Sequence, residues 1–126
     1  MSLRIPYDTI KETVKKAFLN VGLSEEQAEV CATIHTQSSA DGVESHGLNR
    51  IPRFVEYVQK GWINLEGKPE LAGARGAVEN YDGHLGIGIT NALFCADRAM
   101  ELAKEHGIGC VTLKNTTHWM RGGTYA

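Results

Sequence analysis

The chain has 126 residues, enough for one domain with a real core. With 42% hydrophobic and 22% charged residues it reads as an ordinary soluble globular protein, and a formal net charge of −2 without blocks of like charge gives no reason to expect a nucleic acid or membrane partner. No apolar run approaches the ~18 residues of a membrane span; there is no signal-peptide core, and Cys31, Cys95 and Cys110 lie far apart, which favours reduced thiols in a cytoplasm over disulfides or zinc.

Residues 1–3 look like a leader. Over 7–21, Ile10, Val14, Ala17, Phe18 and Val21 recur at helical spacing, and Gly22 supplies a stop. Ser24-Glu25-Glu26-Gln27 has the form of a capping box, so a second helix is expected over 25–40, burying Ala28, Cys31, Ala32 and His35. Asp41-Gly42 ends it. A third helix, with Pro52 near its start, is expected to end at Gly61. Residues 63–76 carry Gly67, Pro69, Gly73 and Gly76 and suggest a connector with at most short extended pieces. Ala77 to Tyr81 is a short strand candidate stopped by Asp82-Gly83. Residues 86–106 form the longest helical pattern, with Ile89, Leu93, Ala96, Met100 and Ala103 as one stripe and Gly107 as its stop. Ile108 to Leu113 is the best strand. Strand, helix, strand implies a parallel pair. The expected fold is therefore α/β: a helical segment at 1–62, a connector at 63–76 and the beginning of a βαβ sheet domain at 77–126. The ending at Gly122 to Ala126 opens a motif without a closing element, so a piece of a longer protein is expected.

Two stretches carry chemistry. In Ser45-His46-Gly47-Leu48-Asn49-Arg50, a titratable imidazole stands beside a fixed positive charge, which suits protonating a carbonyl while holding a carboxylate. Were the segment helical, His46, Arg50, Arg53 and Tyr57 would share a face, with Leu48, Ile51, Val55 and Val58 turned to a core. Pro52 argues for a distorted turn instead. The second stretch, Asn115 to Tyr125, contains His118, Arg121 and the pair Gly122-Gly123, and lies past the carboxyl end of a strand, where ligands sit in open α/β sheets. Two imidazole loops, each beside an arginine, favour a site over two surface turns. Gly86-Ile87-Gly88 lacks the third glycine of a dinucleotide fingerprint, with Asn91 in its place, and reads as a helix-opening loop. His35 reads as structural, and His84 and His106 as boundary residues. No histidines have zinc-ligand spacing, which disfavours a metal-dependent hydrolase.

Together the two stretches resemble the malate/L-lactate dehydrogenase family of the non-Rossmann type, and within it the 2,3-diketo-L-gulonate reductase branch. The likeness runs from the first helix through Asp82-Gly83 and Glu105 to Gly109 into the final motif. The resemblance implies a distinctive α/β fold and a cytoplasmic homodimer that reduces 2-keto acids with NAD(H) or NADP(H). It implies acid–base roles for His46 and His118 and an active-site role for Arg50. His46 is taken as the proton donor, with His118 orienting substrate or nicotinamide. Arg50 would hold the C1 carboxylate beside Ser45, and Arg121 would meet further oxygens of a sugar acid. Gly122, Gly123 and Thr124, with His118, would lie against the cofactor. Malate-type members tend to carry phenylalanine after the second histidine, so Trp119-Met120-Arg121 points to the diketogulonate branch. Family members are well over twice this length, so half an active site is expected here. The competing expectation is a non-catalytic dimerisation or interaction module.

Overall fold

Ser24 starts the second helix as its sequence demands. Its hydroxyl accepts the Gln27 N–H at 3.1 Å and its own N–H donates to the Gln27 side chain at 2.9 Å. The computed structural model in which this is seen describes residues 3–126, so Met1 and Ser2 of the expected leader lie outside the described residues. The chain divides into two units, the first ending at Gly61 and the second beginning at Trp62.

The first unit contains α1 (Tyr7–Asn20), α2 (Glu25–Ala40) and α3 (Ile51–Gln59). Phe18 of α1 is fully buried and joins all three helices. Its ring meets His35 of α2 at 5.6 Å and Phe54 of α3 edge-on at 5.3 Å. Lys11 and Lys15 of α1 pair with Glu29 of α2 on the outside. Ala28, Cys31, Ala32, Ile34, His35, Thr36 and Ser38 are all buried, so α2 is covered on more than one face. Between α2 and α3 the backbone makes two 3₁₀ turns, Glu44–His46 and Leu48–Arg50, separated by Gly47. The continuous helical face imagined from His46 to Tyr57 is therefore broken, since regular α-helix begins only at Ile51, with Pro52 in its first turn. Leu48, Ile51, Val55 and Val58 are half-buried, none fully.

The second unit is a three-stranded sheet in the order β1 (Glu70–Arg75), β2 (Val78–Gly86), β3 (Cys110–Thr116), with α4 (Gly88–His106) joining β2 to β3. The βαβ expectation holds, because β2 and β3 pair in parallel. The stretch 63–76 is more than a connector. β1 lies within it and pairs antiparallel with β2 through a tight turn at Gly76, whose φ of 58° suits glycine. Leu71-Ala72-Gly73-Ala74-Arg75 has weak strand propensity and mostly exposed side chains, so pairing rather than burial fixes it.

β2 also runs past Asp82-Gly83 to Gly86, where its register against β3 slips. Its buried face presents Glu79, Tyr81 and Gly83. Arg98 of α4 grips Glu79 with two bonds of 2.8 and 2.7 Å, and the Tyr81 hydroxyl donates a third at 2.6 Å. These donors, Arg98 foremost, hold the Glu79 carboxyl down at about 2. Phe94 packs edge-on to Tyr81, and Ile89 and Leu102 are buried while Met100, expected in the stripe, is exposed. Gly107 closes α4 in the left-handed conformation, φ 83°.

Candidate active site

The first cluster is built by the end of α2. Its chain reverses at Gly42 (φ 81°), and Val43 N–H returns to the Ser38 carbonyl at 2.9 Å. Two side chains of α2 then meet a single peptide unit. His35 Nδ1 lies 3.1 Å from the Gly47 carbonyl, and Ser39 Oγ accepts the Leu48 N–H at 2.9 Å. Gly47 sits so close to α2 that a Cβ there would come 2.1 Å from Ser39 Oγ and 2.9 Å from Ser39 N.

On this support the structure brings Ser45, His46 and Arg50 together. Ser45 Oγ and His46 Nδ1 are 2.7 Å apart. The Ser45 carbonyl accepts from Arg50 Nε at 2.7 Å and Asn49 Nδ2 at 3.3 Å, which folds the guanidinium back over the first turn. With Nε committed, the terminal nitrogens of Arg50 have no bond among the described residues and suit an end-on grip of a carboxylate. Arg50 opens onto a polar cavity of about 510 Å³ lined also by Asn49, Pro52, Arg53 and Glu56; His46 is not among its lining residues. Burial depresses the basicity of His35, which the Gly47 carbonyl only partly offsets.

The second cluster lies at the head of α4. Gly88 N–H donates to Thr117 Oγ1 at 2.7 Å, Asn91 Nδ2 to Thr116 Oγ1 at 3.0 Å, and Thr117 N–H to the Gly86 carbonyl at 3.2 Å. A Cβ on Gly88 would stand 2.2 Å from the Thr117 oxygen and 2.6 Å from the His118 carbonyl, so the loop lies directly on the first turn of the helix. Beside it Asp82 accepts from the His84 N–H and from Asn115, which hold its carboxyl below the ordinary range. Met120 is buried with a left-handed backbone, φ 74°, and that conformation aims its N–H at His118 Nδ1, 2.9 Å away. An N–H only donates, so Nδ1 accepts and the proton of the neutral ring belongs on Nε2.

Arg121 follows, half-buried, and Gly122–Tyr125 form a short 3₁₀ turn closed by the Tyr125 hydroxyl on the Trp119 carbonyl at 2.6 Å. A Cβ on Gly122 or Gly123 would meet nothing within 4 Å, and neither has positive φ. Their missing side chains thus serve no packing within the described residues, and they leave room for a planar or phosphate-bearing group to approach the backbone. Beside them Thr124 Oγ1 is buried without a hydrogen-bond partner among the described residues. A nicotinamide cofactor fits these features. No group of three His, Cys, Asp or Glu side chains suited to a metal occurs among the described residues, and no helix there is long and apolar enough to cross a membrane.

His46 and Arg50 belong to the first unit, and His118 to Thr124 to the second. The residues that sequence reading passed over are the supports: Ser39, Asn49, Thr117 and Met120. Only the spacing of four between His35 and Ser39, which puts both on one helix face, could have flagged the first of them.

Comparison with known proteins gives one consistent result. The family model described as malate/L-lactate dehydrogenase matches residues 5–126. The 2,3-diketo-L-gulonate reductases of Haemophilus influenzae and Klebsiella pneumoniae are each 42% identical over 123 residues, 98% of this chain and 37% of theirs. The malate dehydrogenase structures from Pyrococcus horikoshii and Entamoeba histolytica are each 30% identical, with TM-scores of 0.93 and 0.90. They cover 98% and 99% of this chain, and 36% and 35% of theirs. The chain thus spans little more than a third of the length of these relatives.

Proposed function

Since the chain belongs to the malate/L-lactate dehydrogenase family, we propose that the protein carrying it is a nicotinamide-dependent reductase of 2-keto acids, with a sugar acid such as 2,3-diketo-L-gulonate as the favoured substrate and malate- or lactate-type acids next. When bound, the reduced nicotinamide, NADH or NADPH, would supply a hydride to C2 of the keto acid. His118, Gly122, Gly123 and Thr124 would hold that cofactor from this chain. Arg50 grips the C1 carboxylate end-on, with Ser45 beside it, and Arg121 meets further oxygens of the longer substrate. His46 gives its proton to the alkoxide that develops at C2.

The division of labour between the histidines rests on their Nδ1 partners. His46 Nδ1 faces a hydroxyl at 2.7 Å, which can rotate to donate or accept, so the ring keeps this bond whether charged or neutral. His118 Nδ1 faces a backbone N–H at 2.9 Å, which only donates, so charging this ring would set donor against donor. A ring that cycles between charge states suits proton transfer; a ring fixed in one tautomer suits orienting substrate or nicotinamide. Assays of the intact protein for NADH or NADPH oxidation with 2-keto acids test this. His46→Ala should lower kcat by roughly 10²- to 10⁴-fold, the usual worth of a general acid. An unchanged rate would overturn its role.

A homodimer in the cytoplasm completes the reading. One observation favours the second reading, a non-catalytic interaction module: Ile5, Ile10, Val14, Leu48 and Ile51 line an apolar groove of about 380 Å³ in the first unit. Turnover that depends on His46 would exclude it.

A further inference from the structure

We propose that His35 is a positioning residue for the candidate site: with Ser39 it clamps the one peptide unit that joins the two 3₁₀ turns carrying His46 and Arg50. The inference rests on the roles proposed for His46 and Arg50.

The Gly47 carbonyl and the Leu48 N–H belong to the same planar peptide, and in a trans peptide they point in opposite directions. His35 Nδ1 meets the oxygen at 3.1 Å, and Ser39 Oγ meets the N–H at 2.9 Å. Residues 35 and 39 stand one turn apart on the same face of α2, so donor and acceptor are spaced along the helix as the peptide requires. A carbonyl only accepts, which places the ring hydrogen of His35 on Nδ1. The ring cannot swing away. It is 1% exposed and packs against Phe18, itself held by Phe54.

The orientation of this peptide sets the site on both sides of it. The Gly47 oxygen also accepts the Arg50 N–H at 3.1 Å, which fixes the second turn, and the Gly47 N–H donates to Asn49 Oδ1 at 3.3 Å. Rotating the clamped peptide would therefore move Arg50 directly, and it would reach His46 only through the Gly47 Cα and the preceding peptide, whose N–H is the one held by Asn49. Packing alone does not require a histidine here, since a buried phenylalanine would meet Phe18 as well without a polar ring to satisfy. The donor to Gly47 is what the histidine adds.

Two substitutions in the intact protein separate donor from packing. His35→Phe keeps an aromatic ring against Phe18 and loses the donor. His35→Asn keeps an N–H near the place of Nδ1 and loses the ring. Thermal midpoint, amide exchange at Leu48 and Arg50, and kcat with a 2-keto acid are read for both. His35→Phe should hold the midpoint near that of the parent while local exchange speeds up and kcat falls, each by about tenfold, the size of one hydrogen bond. His35→Asn should lower the midpoint further yet keep exchange slow and restore most of kcat. The proposal is overturned if exchange and kcat simply track the midpoint, with Asn worse than Phe in all three. Exchange that behaves as expected, with kcat unmoved in both variants, would uphold the clamp and count instead against the roles of His46 and Arg50.

Discussion

Around His46 the chain is held by side chains reaching out of α2, whereas around His118 the loop's own backbone lies against the head of α4, tied there by the Thr116 and Thr117 hydroxyls. In the first case two bonds from His35 and Ser39 orient one peptide. In the second, the Thr117 and His118 carbonyls press against Gly88, and a left-handed Met120 supplies the N–H that fixes the imidazole. A support made of side chains can be edited one bond at a time and leaves its histidine a partner that adapts to its charge. A support in which backbone lies directly on a helix leaves less room for such editing, and it suits a ring that must keep one orientation.

The sharpest way to break this comparison is a pair of glycine substitutions. Gly88→Ala should destabilise the second unit by roughly 1–3 kcal/mol, the usual cost of overpacking, because the added methyl meets the Thr117 and His118 backbone. Gly47→Ala should cost a similar ~1–3 kcal/mol, yet Ser39→Ala should recover part of it, since the nearest obstacle is a hydroxyl. Thermal or urea unfolding of the single and double variants checks both. A Gly47→Ala variant that gains nothing from Ser39→Ala would show that backbone dominates there too.

Acid should reach the two units at different pH. His35 resists protonation in the fold, so its contribution is full above the ordinary histidine value of about 6.5 and declines as pH falls below it. Glu79 runs the other way. Its carboxyl is depressed to about 2, so its contribution is present above the ordinary value of about 4.3 and is lost as pH falls from there towards 2. Hydrogen exchange monitored from pH 7 downward should therefore loosen α2 first and the contact between α4 and β2 later. Glu79→Gln should remove only the later step. The smallest effect belongs to Ser24→Ala, about 1 kcal/mol from the lost cap, measurable by chemical unfolding and without consequence at either histidine.

Much of the fold was legible because local chemistry agreed with tertiary need. The Ser24–Gln27 box, the glycine after α4 and the β-rich run before Asn115 each announce an element that the structure contains. β1 was not legible, since Ala72, Gly73 and Ala74 carry little strand signal and only β2 makes them a strand. The end of β2 was hidden because Asp82-Gly83 looks like a turn, while Gly83 is in fact buried in the sheet beside Asn115. At the candidate site the histidines and arginines were visible as residue types. Their supports were not. The tie from His35 to Gly47 spans 12 residues, and nothing in a methionine signals that its backbone will be left-handed.

The most direct test of the proposed roles is nitrogen-15 NMR of the two imidazoles in the intact protein. Neutral His118 should carry its proton on Nε2 while Nδ1 stays an acceptor. The Ser45 hydroxyl should stay bonded to His46 Nδ1, in the role of donor or acceptor that the ring requires. A His118 ring protonated at Nδ1, or a His46 Nδ1 without the Ser45 bond, would contradict the assignment of His46 as donor and His118 as guide.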